Sequence, residues 1–154
     1  MSLPETLASE KTSQPKNINI ALVGNPNTGK SSLFNALTGM RQKVGNYPGV
    51  TVEKKTGLIP QKNKKIQIHD LPGLYSLIPK SLDDKIPIDI LLGNDATAEI
   101  QLILIVADAD NINRNLYLVS QLLDLDIPII LVLNMMDVAR KNGTKIDIKG
   151  LESS

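Results

Sequence analysis

The sequence contains no cysteine and only one histidine, His69, among its 154 residues. Without cysteine there are no disulfides, thiolate metal sites or thiol nucleophiles, and this composition fits a reducing cytosol. A protein-bound transition metal usually needs several imidazole, carboxylate or thiolate ligands that converge on one point. Because a single histidine supplies too few such ligands, any transition-metal chemistry is expected outside this chain.

The chain also has no large excess of positive or negative charge and no long apolar run. Seventeen basic and sixteen acidic residues leave a formal net charge of +1, and no basic run exceeds Lys62 to Lys65. This balance leaves no electrostatic footprint for nucleic acid, so no nucleic-acid partner is expected. The longest apolar runs, 102–107 and 127–133, are about a third of the roughly 20 residues that a membrane-spanning helix needs. This segment is therefore not expected to cross a membrane.

The length matches one globular domain, and 42% hydrophobic residues are enough for one core. Residues 1–16 are polar and lack the apolar centre of a secretory signal, so they are expected to form a flexible leader. We assign residues 17–150 to the domain and residues 151–154 to a tail.

Strands and helices alternate along the domain. Residues 17–23 form an apolar run that ends at a glycine, and residues 31–37 follow with apolar residues at helical spacing. Residues 50–59 and 64–70 alternate apolar and polar side chains around a turn, which predicts an antiparallel hairpin at the sheet edge.

Two almost wholly apolar runs, 101–107 and 127–133, predict parallel strands in the middle of the sheet, covered on both faces. Between them, residues 111–123 predict a crossover helix. Its expected buried stripe consists of Ile112, Leu116, Val119 and Leu123. A helix that begins near Ser81 is expected to be irregular or to restart, because Pro87 lies in its interior. The order of elements predicts a doubly wound α/β fold.

Residues 24–31, GNPNTGKS, match the phosphate-binding pattern G-x-x-x-x-G-K-[ST] in full and lie between a predicted strand and a predicted helix. Its glycines let backbone N–H groups turn toward phosphates at a helix N-terminus. Lys30 is expected to reach the β and γ phosphates, and the Ser31 hydroxyl is expected to bind magnesium. A chance glycine turn would not explain both the complete pattern and its context.

Two further tetrapeptides follow strands. Asp70–Gly73, DLPG, would place a carboxylate beside magnesium and a glycine N–H beside the γ-phosphate. Asn134–Asp137, NMMD, lies at the carboxyl end of the sheet, where ligands bind in open α/β folds. The Asp137 carboxylate can accept hydrogen bonds from the ring N–H and the amine of guanine, whereas adenine would oppose it with an unprotonated nitrogen. Each tetrapeptide alone is more often a turn or a helix cap, but their order after the phosphate loop indicates a GTPase.

The sequence between the first two motifs indicates a family. Residues 41–57, RQKVGNYPGVTVEKKTG, resemble the first switch of the bacterial ferrous iron transport protein B family. Further matches are GNPNTGKS, DLPGLYSL, RNLYL and NMMD, so that the resemblance covers roughly residues 17–143. Met135 replaces the lysine that many ribosome-assembly GTPases keep in this motif. The resemblance implies a P-loop, small-GTPase-like domain that binds GTP and GDP with magnesium and hydrolyses GTP.

The resemblance also implies roles for three further residues. Thr51 would be the switch threonine that closes on magnesium and the γ-phosphate. Asn27 stands where this family and similar GTPases place an asparagine whose oxygen helps to hold potassium. Leu74 occupies the position of the catalytic glutamine of other GTPases and can form no hydrogen bond, so slow, potassium-stimulated hydrolysis is expected.

The residues expected to contact nucleotide, magnesium or potassium fall in four segments. They are Gly24, Asn25, Pro26, Asn27, Thr28, Gly29, Lys30, Ser31 and Ser32; Gly49, Val50 and Thr51; Asp70, Leu71, Pro72 and Gly73; and Asn134, Met135, Met136 and Asp137. Lys30, Thr51, Gly73 and Asn27 are the expected catalytic residues, with Ser31, Thr51 and Asp70 on magnesium. His69 is expected to pack or to face solvent, Tyr47 to be a partly exposed loop residue, and Asp108 and Asp110 to shape a turn.

In the family the unit continues into a further guanine-contacting loop, a last strand, a helical domain and a membrane permease. None of these is recognisable after residue 150, so the sheet is expected to lack its last strand. The resemblance implies a regulator of ferrous iron transport on the cytoplasmic side of the bacterial inner membrane, with the permease domain of the same chain as partner. Monomer and homo-oligomer both stay open. The alternatives are a ribosome-assembly or translation-factor-related GTPase and a slow nucleotide-sensing module.

Overall fold

The computed structural model describes residues 17–96 and 98–153, so the predicted leader lies outside the described residues. The strands are β1 Asn17–Gly24, β2 Gln42–Asn46, β3 Glu53–Ile59, β4 Lys65–Asp70, β5 Leu102–Asp108 and β6 Ile129–Asn134. The helices are α1 Lys30–Thr38, α2 Leu82–Leu91, α3 Ile112–Leu123, α4 Met136–Lys141 and α5 Ile148–Glu152, with a 3-10 turn at Ala109–Asn111 before α3.

One mixed sheet has the strand order β2-β3-β4-β1-β5-β6. Strand β1 pairs in parallel with β4 and β5, and β5 pairs in parallel with β6. Strand β3 is antiparallel to both β2 and β4. The predicted α/β fold with an antiparallel hairpin is therefore confirmed, and β2 extends the hairpin by one strand that was not predicted.

Strand β1 is the centre of the core. Ala21, Leu22 and Val23 are fully buried, and their side chains alternate between the two faces of the sheet. Leu22 packs on the α1 face with Phe34. Ala21 and Val23 face the larger cluster, to which α2 and α3 contribute.

The prediction that both apolar strands lie in the middle of the sheet is correct for β5 and wrong for β6. Among the described residues no strand pairs with the outer side of β6. Ile130 on this strand is 49% exposed, although the sequence of β6 is as apolar as that of β5.

Helix α2 is continuous, which corrects the predicted break at Pro87. The Ser81 hydroxyl accepts from the Asp84 N–H at 3.2 Å and caps the helix start. Proline within a helix costs about 3 kcal/mol through its missing donor and its ring. Here Pro87 is buried and its apolar neighbours Ile88 and Ile90 belong to the core, and this burial offsets the cost.

The buried face of α3 is also different from the predicted stripe. Leu123 is 57% exposed, and the residues of α3 that are buried are Asn115, Leu118, Val119 and Leu122. Compared with the predicted orientation, α3 is rotated about its own axis so that Asn115 faces inward. The Asn115 Oδ1 accepts from the Asp108 N–H at 3.4 Å, and its Nδ2 donates to the Asn111 carbonyl at 2.8 Å.

Candidate nucleotide site

The carboxyl ends of the parallel strands lie together at one end of the sheet, called the carboxyl edge below, and all three sequence motifs lie there. Strand β1 ends at Gly24, β4 at Asp70 and β6 at Asn134. The register aligns Leu22 with Asp70 and Asp108 with Asn134 across neighbouring strands. In open α/β sheets this carboxyl edge is where ligands bind.

The loop from Gly24 to Lys30 has the backbone of a tight phosphate-binding turn. Asn27 and Gly29 have positive φ angles of 64° and 90°. A Cβ on Gly24 would lie 2.6 Å from the Val106 carbonyl oxygen, so only glycine fits there. The Thr28 hydroxyl donates to the Asn25 carbonyl at 3.0 Å across the turn. The positive φ angles and this hydrogen bond make a tight turn directly before the start of α1.

Lys30 and Asp70 form an ion pair at the centre of this edge. The Lys30 ammonium donates to Asp70 Oδ1 at 2.9 Å, and the two side chains are only 13% and 9% exposed. A lysine that can bind phosphate and a carboxylate that can bind a cation thus lie within one contact of each other. An anion on Lys30 and a cation on Asp70 would replace this pair.

The segment after Asp70 packs directly on the phosphate loop. A Cβ on Gly73 would lie 2.9 Å from Pro26 Cγ, which explains the glycine. The Leu74 N–H donates to the Gly24 carbonyl at 3.0 Å, and the Leu74 side chain is 2% exposed within the core. Leu74 therefore supports the loop and cannot orient a water molecule.

The third motif is tied to the same loop. Asn134 Nδ2 donates to the Thr28 carbonyl at 2.9 Å. Met135 has a positive φ of 57°, and this sharp turn starts α4, whose first turn carries Asp137. Asp137 is exposed, with its carboxylate available to a ligand.

Asp110, expected only to shape a turn, also fixes the far end of α4. Its two carboxylate oxygens accept from Asn142 Nδ2 at 2.7 Å and from the Thr144 hydroxyl at 2.8 Å. Asp108 accepts from the Asp110 N–H at 2.9 Å, as expected of a turn residue. Sequence reasoning missed the role of Asn142 and Thr144, because their partner is more than thirty positions away.

The first-switch segment is only partly assembled at this edge. Thr51 is exposed, and among the described residues no hydrogen bond joins its side chain to Lys30, Ser31 or Asp70. Gly49 before it has a positive φ of 76°. The structure thus brings three of the four predicted segments together and leaves the fourth beside them.

Tyr47 is buried, which corrects the prediction of a partly exposed loop residue. Its N–H donates to the Val52 carbonyl at 3.0 Å, and this bond closes a turn that places the ring in the core with Leu71 and Leu74. Burial, together with the negative charges of Asp95 and Asp70, raises the pKa of the Tyr47 hydroxyl to about 12.

Two other residues near the motifs have buried amide or imidazole groups. The Asn25 side chain is buried, and neither of its polar atoms has a hydrogen-bond partner among the described residues. His69 is 7% exposed, and its Nε2 lies 3.2 Å from Asn19 Oδ1, on the face opposite the Asp70 carboxylate. Burial, and then the charge of Lys54, lowers the pKa of His69.

Within residues 17–96 and 98–153, no three histidine or acidic side chains are grouped as a metal ion would require. In the same residues no helix is both long enough and apolar enough to span a bilayer.

The strand order, the phosphate loop and the two loops that pack on it define a P-loop nucleotide-binding domain of the GTPase type. Residues 18–154 match the family described as Ferrous iron transport protein B. The chain belongs to this family. It is 47% identical over 142 residues to the Fe(2+) transporter FeoB of Salmonella typhimurium, and to that of Escherichia coli K12. These matches cover 90% of the chain and 18% of each relative's length.

Solved structures of the family have the same fold. A mutant of S. thermophilus NFeoB bound to mGDP superposes with a TM-score of 0.81 at 48% identity, covering 90% of this chain and 51% of that one. The G domain of the T. maritima FeoB iron transporter gives a TM-score of 0.79 at 44% identity, with 90% and 82% covered. The chain therefore spans about half of the S. thermophilus structure and most of the T. maritima G domain.

Proposed function

We propose that this chain binds guanine nucleotides and hydrolyses GTP to GDP and phosphate. One observation carries the proposal: three separate segments meet at a single phosphate loop. Lys30 of the loop pairs with Asp70, Gly73 packs on Pro26, and Asn134 donates to the Thr28 carbonyl. The mGDP-bound and GDP-bound S. thermophilus relatives support the same ligand class.

The oxygen-bearing side chains at this edge fit magnesium, which prefers oxygen ligands. The Ser31 hydroxyl is exposed at the start of α1, and the Asp70 carboxylate lies beside the lysine that would bind the phosphates. Thr51 would complete the set by a movement of its exposed loop when the γ-phosphate is present. When bound, magnesium would neutralise charge on the β and γ phosphates.

Hydrolysis would depend on backbone and charge rather than on a side-chain base. Gly73 precedes the loop that Leu74 fixes to Gly24, so its N–H can approach a γ-phosphate. Asn27, which is exposed and has a positive φ, would supply a side-chain oxygen to a potassium ion. A cation there would supply the charge stabilisation that an arginine finger provides in other GTPases.

We expect GTP turnover to be low in sodium and several-fold higher in potassium at constant ionic strength, a barrier change of about 1 kcal/mol or more. Asn27→Ala should abolish the rise. Asn63→Ala, in the β3–β4 turn, is the control and should keep it. Steady-state phosphate release measures both. Equal rates in the two salts, or a potassium response that survives Asn27→Ala, would refute the mechanism.

A single-turnover assay separates an enzyme from a slow nucleotide-sensing module, the second candidate function. The hydrogen bonds of Asp70 and Asn134 are compatible with both functions, whereas the packing of Gly73 on Pro26 favours the enzyme. A chain that binds GTP but does not cleave it within hours would favour the sensor.

We further propose that residues 17–150 are the nucleotide-controlled domain of a ferrous iron transporter, on the cytoplasmic side of the bacterial inner membrane. The family membership and the 18% of relatives' length that the chain spans support a larger protein with a permease domain as partner. In a full-length protein, Lys30→Ala should reduce iron uptake without lowering the amount of that protein in the membrane. Uptake equal to that of the unmodified protein would contradict this coupling.

A further inference from the structure

Helix α3 contacts the loop after Gly73 through two side chains that the nucleotide site does not use. The Leu77 N–H donates to Gln121 Oε1 at 2.8 Å. The Arg114 guanidinium carbon lies 4.7 Å from the centre of the Tyr75 ring, a cation–π contact. Arg114 and Gln121 are seven positions apart, which is about two helical turns, so they share one face of α3.

The same loop is held from its other side by the phosphate loop and the core. The Leu74 N–H donates to the Gly24 carbonyl, and the Leu74 side chain is buried. Leu77 packs against the larger core cluster. Residues 74–77 therefore lie between the phosphate loop and α3, directly after the glycine whose N–H would meet a γ-phosphate.

Gln121 is itself oriented by a neighbour on α3. Gln121 Nε2 donates to the Tyr117 hydroxyl at 3.4 Å. The start of the helix is fixed to the end of β5 through Asn115, which bonds the Asp108 N–H. The RNLYL segment, residues 114–118, thus contributes both the contact to Tyr75 and the groups that orient Gln121.

We propose that Gln121 and Arg114 are positioning residues that fix the far end of the second switch, residues 70–77, to α3. The proposal rests on the proposed GTPase function and deepens it. Neither side chain touches the nucleotide site: they act on Gly73 through Leu77 and Tyr75. A switch with one end fixed has fewer conformations to lose when it closes on the γ-phosphate, so the anchor raises the hydrolysis rate. GDP, which lacks that phosphate, does not use the closed switch.

The decisive variant is Gln121→Met, which keeps the side-chain length and removes the acceptor for the Leu77 N–H. Its kcat for GTP should fall about three- to tenfold, while its affinity for GDP stays within about twofold. Gln121→Glu retains an oxygen acceptor and should recover most of the rate. Arg114→Gln should give a smaller loss, because Tyr75 is 46% exposed and a cation–π contact at an exposed ring is weak.

Gln101→Met is the matched control. Gln101 Oε1 accepts from the Asn19 N–H at 2.6 Å, the same type of contact at the opposite edge of the sheet. It should lower the melting temperature as Gln121→Met does and leave kcat unchanged. The proposal is overturned if Gln121→Met keeps kcat within about twofold of the unmodified chain, or if Gln101→Met lowers kcat equally.

Hydrogen exchange at the Leu77 amide tests the anchor without any GTP turnover. In the unmodified, nucleotide-free chain this amide should exchange slowly, and in Gln121→Met it should exchange at least about tenfold faster. A chain that never cleaves GTP would refute the proposed function, and the exchange rates would still decide on the anchor. Equal Leu77 exchange in both proteins would refute the anchor itself.

Discussion

At the scale of single residues, recognition of the guanine base depends on a side chain that is exposed and can still form hydrogen bonds to a ligand. Asn134 is already bonded to the Thr28 carbonyl, whereas Asp137 is exposed in the first turn of α4. We predict that Asp137→Asn weakens GTP and improves xanthosine triphosphate, because an amide can donate to the carbonyl that xanthine has in place of the guanine amine. Losing a hydrogen bond to a charged group costs about 1.5–3 kcal/mol, so GTP affinity should fall at least about tenfold.

Equilibrium titration of both nucleotides measures this switch, with Asp124→Asn as a control because Asp124 is an exposed residue at the end of α3. The control should keep the preference for GTP. An Asp137→Asn variant that also keeps it would show that the guanine base lies elsewhere.

The positions of Lys30, Asp70 and Asn134 could be predicted at this scale because each belongs to a motif attached to the end of a strand. Tyr47 could not. Its burial depends on a turn closed by Val52 and on the position of β2 at the sheet edge, and neither has a local sequence signal. Gln121 was missed for a similar reason, since its partner Leu77 is 44 positions away.

At the scale of elements, α1 is packed on the sheet through a glycine. A Cβ on Gly57 in β3 would overlap Thr38 Cγ2 and lie 3.0 Å from Phe34 Cζ, and both side chains are fully buried on α1. We predict that Gly57→Ala lowers the free energy of unfolding by about 1–3 kcal/mol, because the core has no room for another methyl group.

Urea unfolding of the Gly57→Ala variant, compared with that of the Gly45→Ala variant, checks this packing. A Cβ on Gly45, in strand β2, meets nothing within 4 Å, so that substitution should change stability by less than about 0.5 kcal/mol. Similar losses in both variants would mean that α1 can shift away from the sheet.

Helix α2 and helix α3 show where local patterns stop being sufficient. The periodicity of α3 predicted a helix over nearly the observed residues, but the hydrogen bonds of Asn115 determine which face is buried. Pro87 predicted a break that core packing prevents. In both cases a tertiary contact outweighs a local preference, and no local pattern contains that contact.

At the scale of the whole molecule, the α/β fold class and its antiparallel hairpin could be predicted from the alternation of strands and helices, whereas the strands at the two sides of the sheet could not. The runs in β5 and β6 are equally apolar, yet within residues 17–96 and 98–153 strand β5 has neighbours on both sides and β6 on one. Strand β2 is short and mostly polar, and four of its five residues are exposed, so it resembles a loop in sequence. Edge strands are specified by their partners more than by their own residues.

The stability of the whole domain should depend on pH through His69, the single histidine of the chain. Burial, and then the charge of Lys54, lowers the pKa of His69 below its ordinary value of 6.5, and the ring lies 3.2 Å from Asn19 Oδ1. Between pH 6.5 and the folded pKa, the unfolded chain therefore binds more protons than the folded chain. Stability is full above pH 6.5 and falls as the pH drops through the folded pKa.

One proton taken up on unfolding gives a slope of up to about 1.4 kcal/mol per pH unit. Urea unfolding at pH values from 7.5 to 5 should therefore show a decline in the unmodified chain that is shallower in His69→Gln, which keeps a polar group near Asn19 but does not titrate. Lys54→Gln should give an intermediate slope, because one of the two causes of the lowered pKa is removed while burial remains. Parallel stability curves for the unmodified chain and His69→Gln would show that the histidine is protonated equally in the folded and unfolded states, and that the acid sensitivity of the domain comes from its carboxylates.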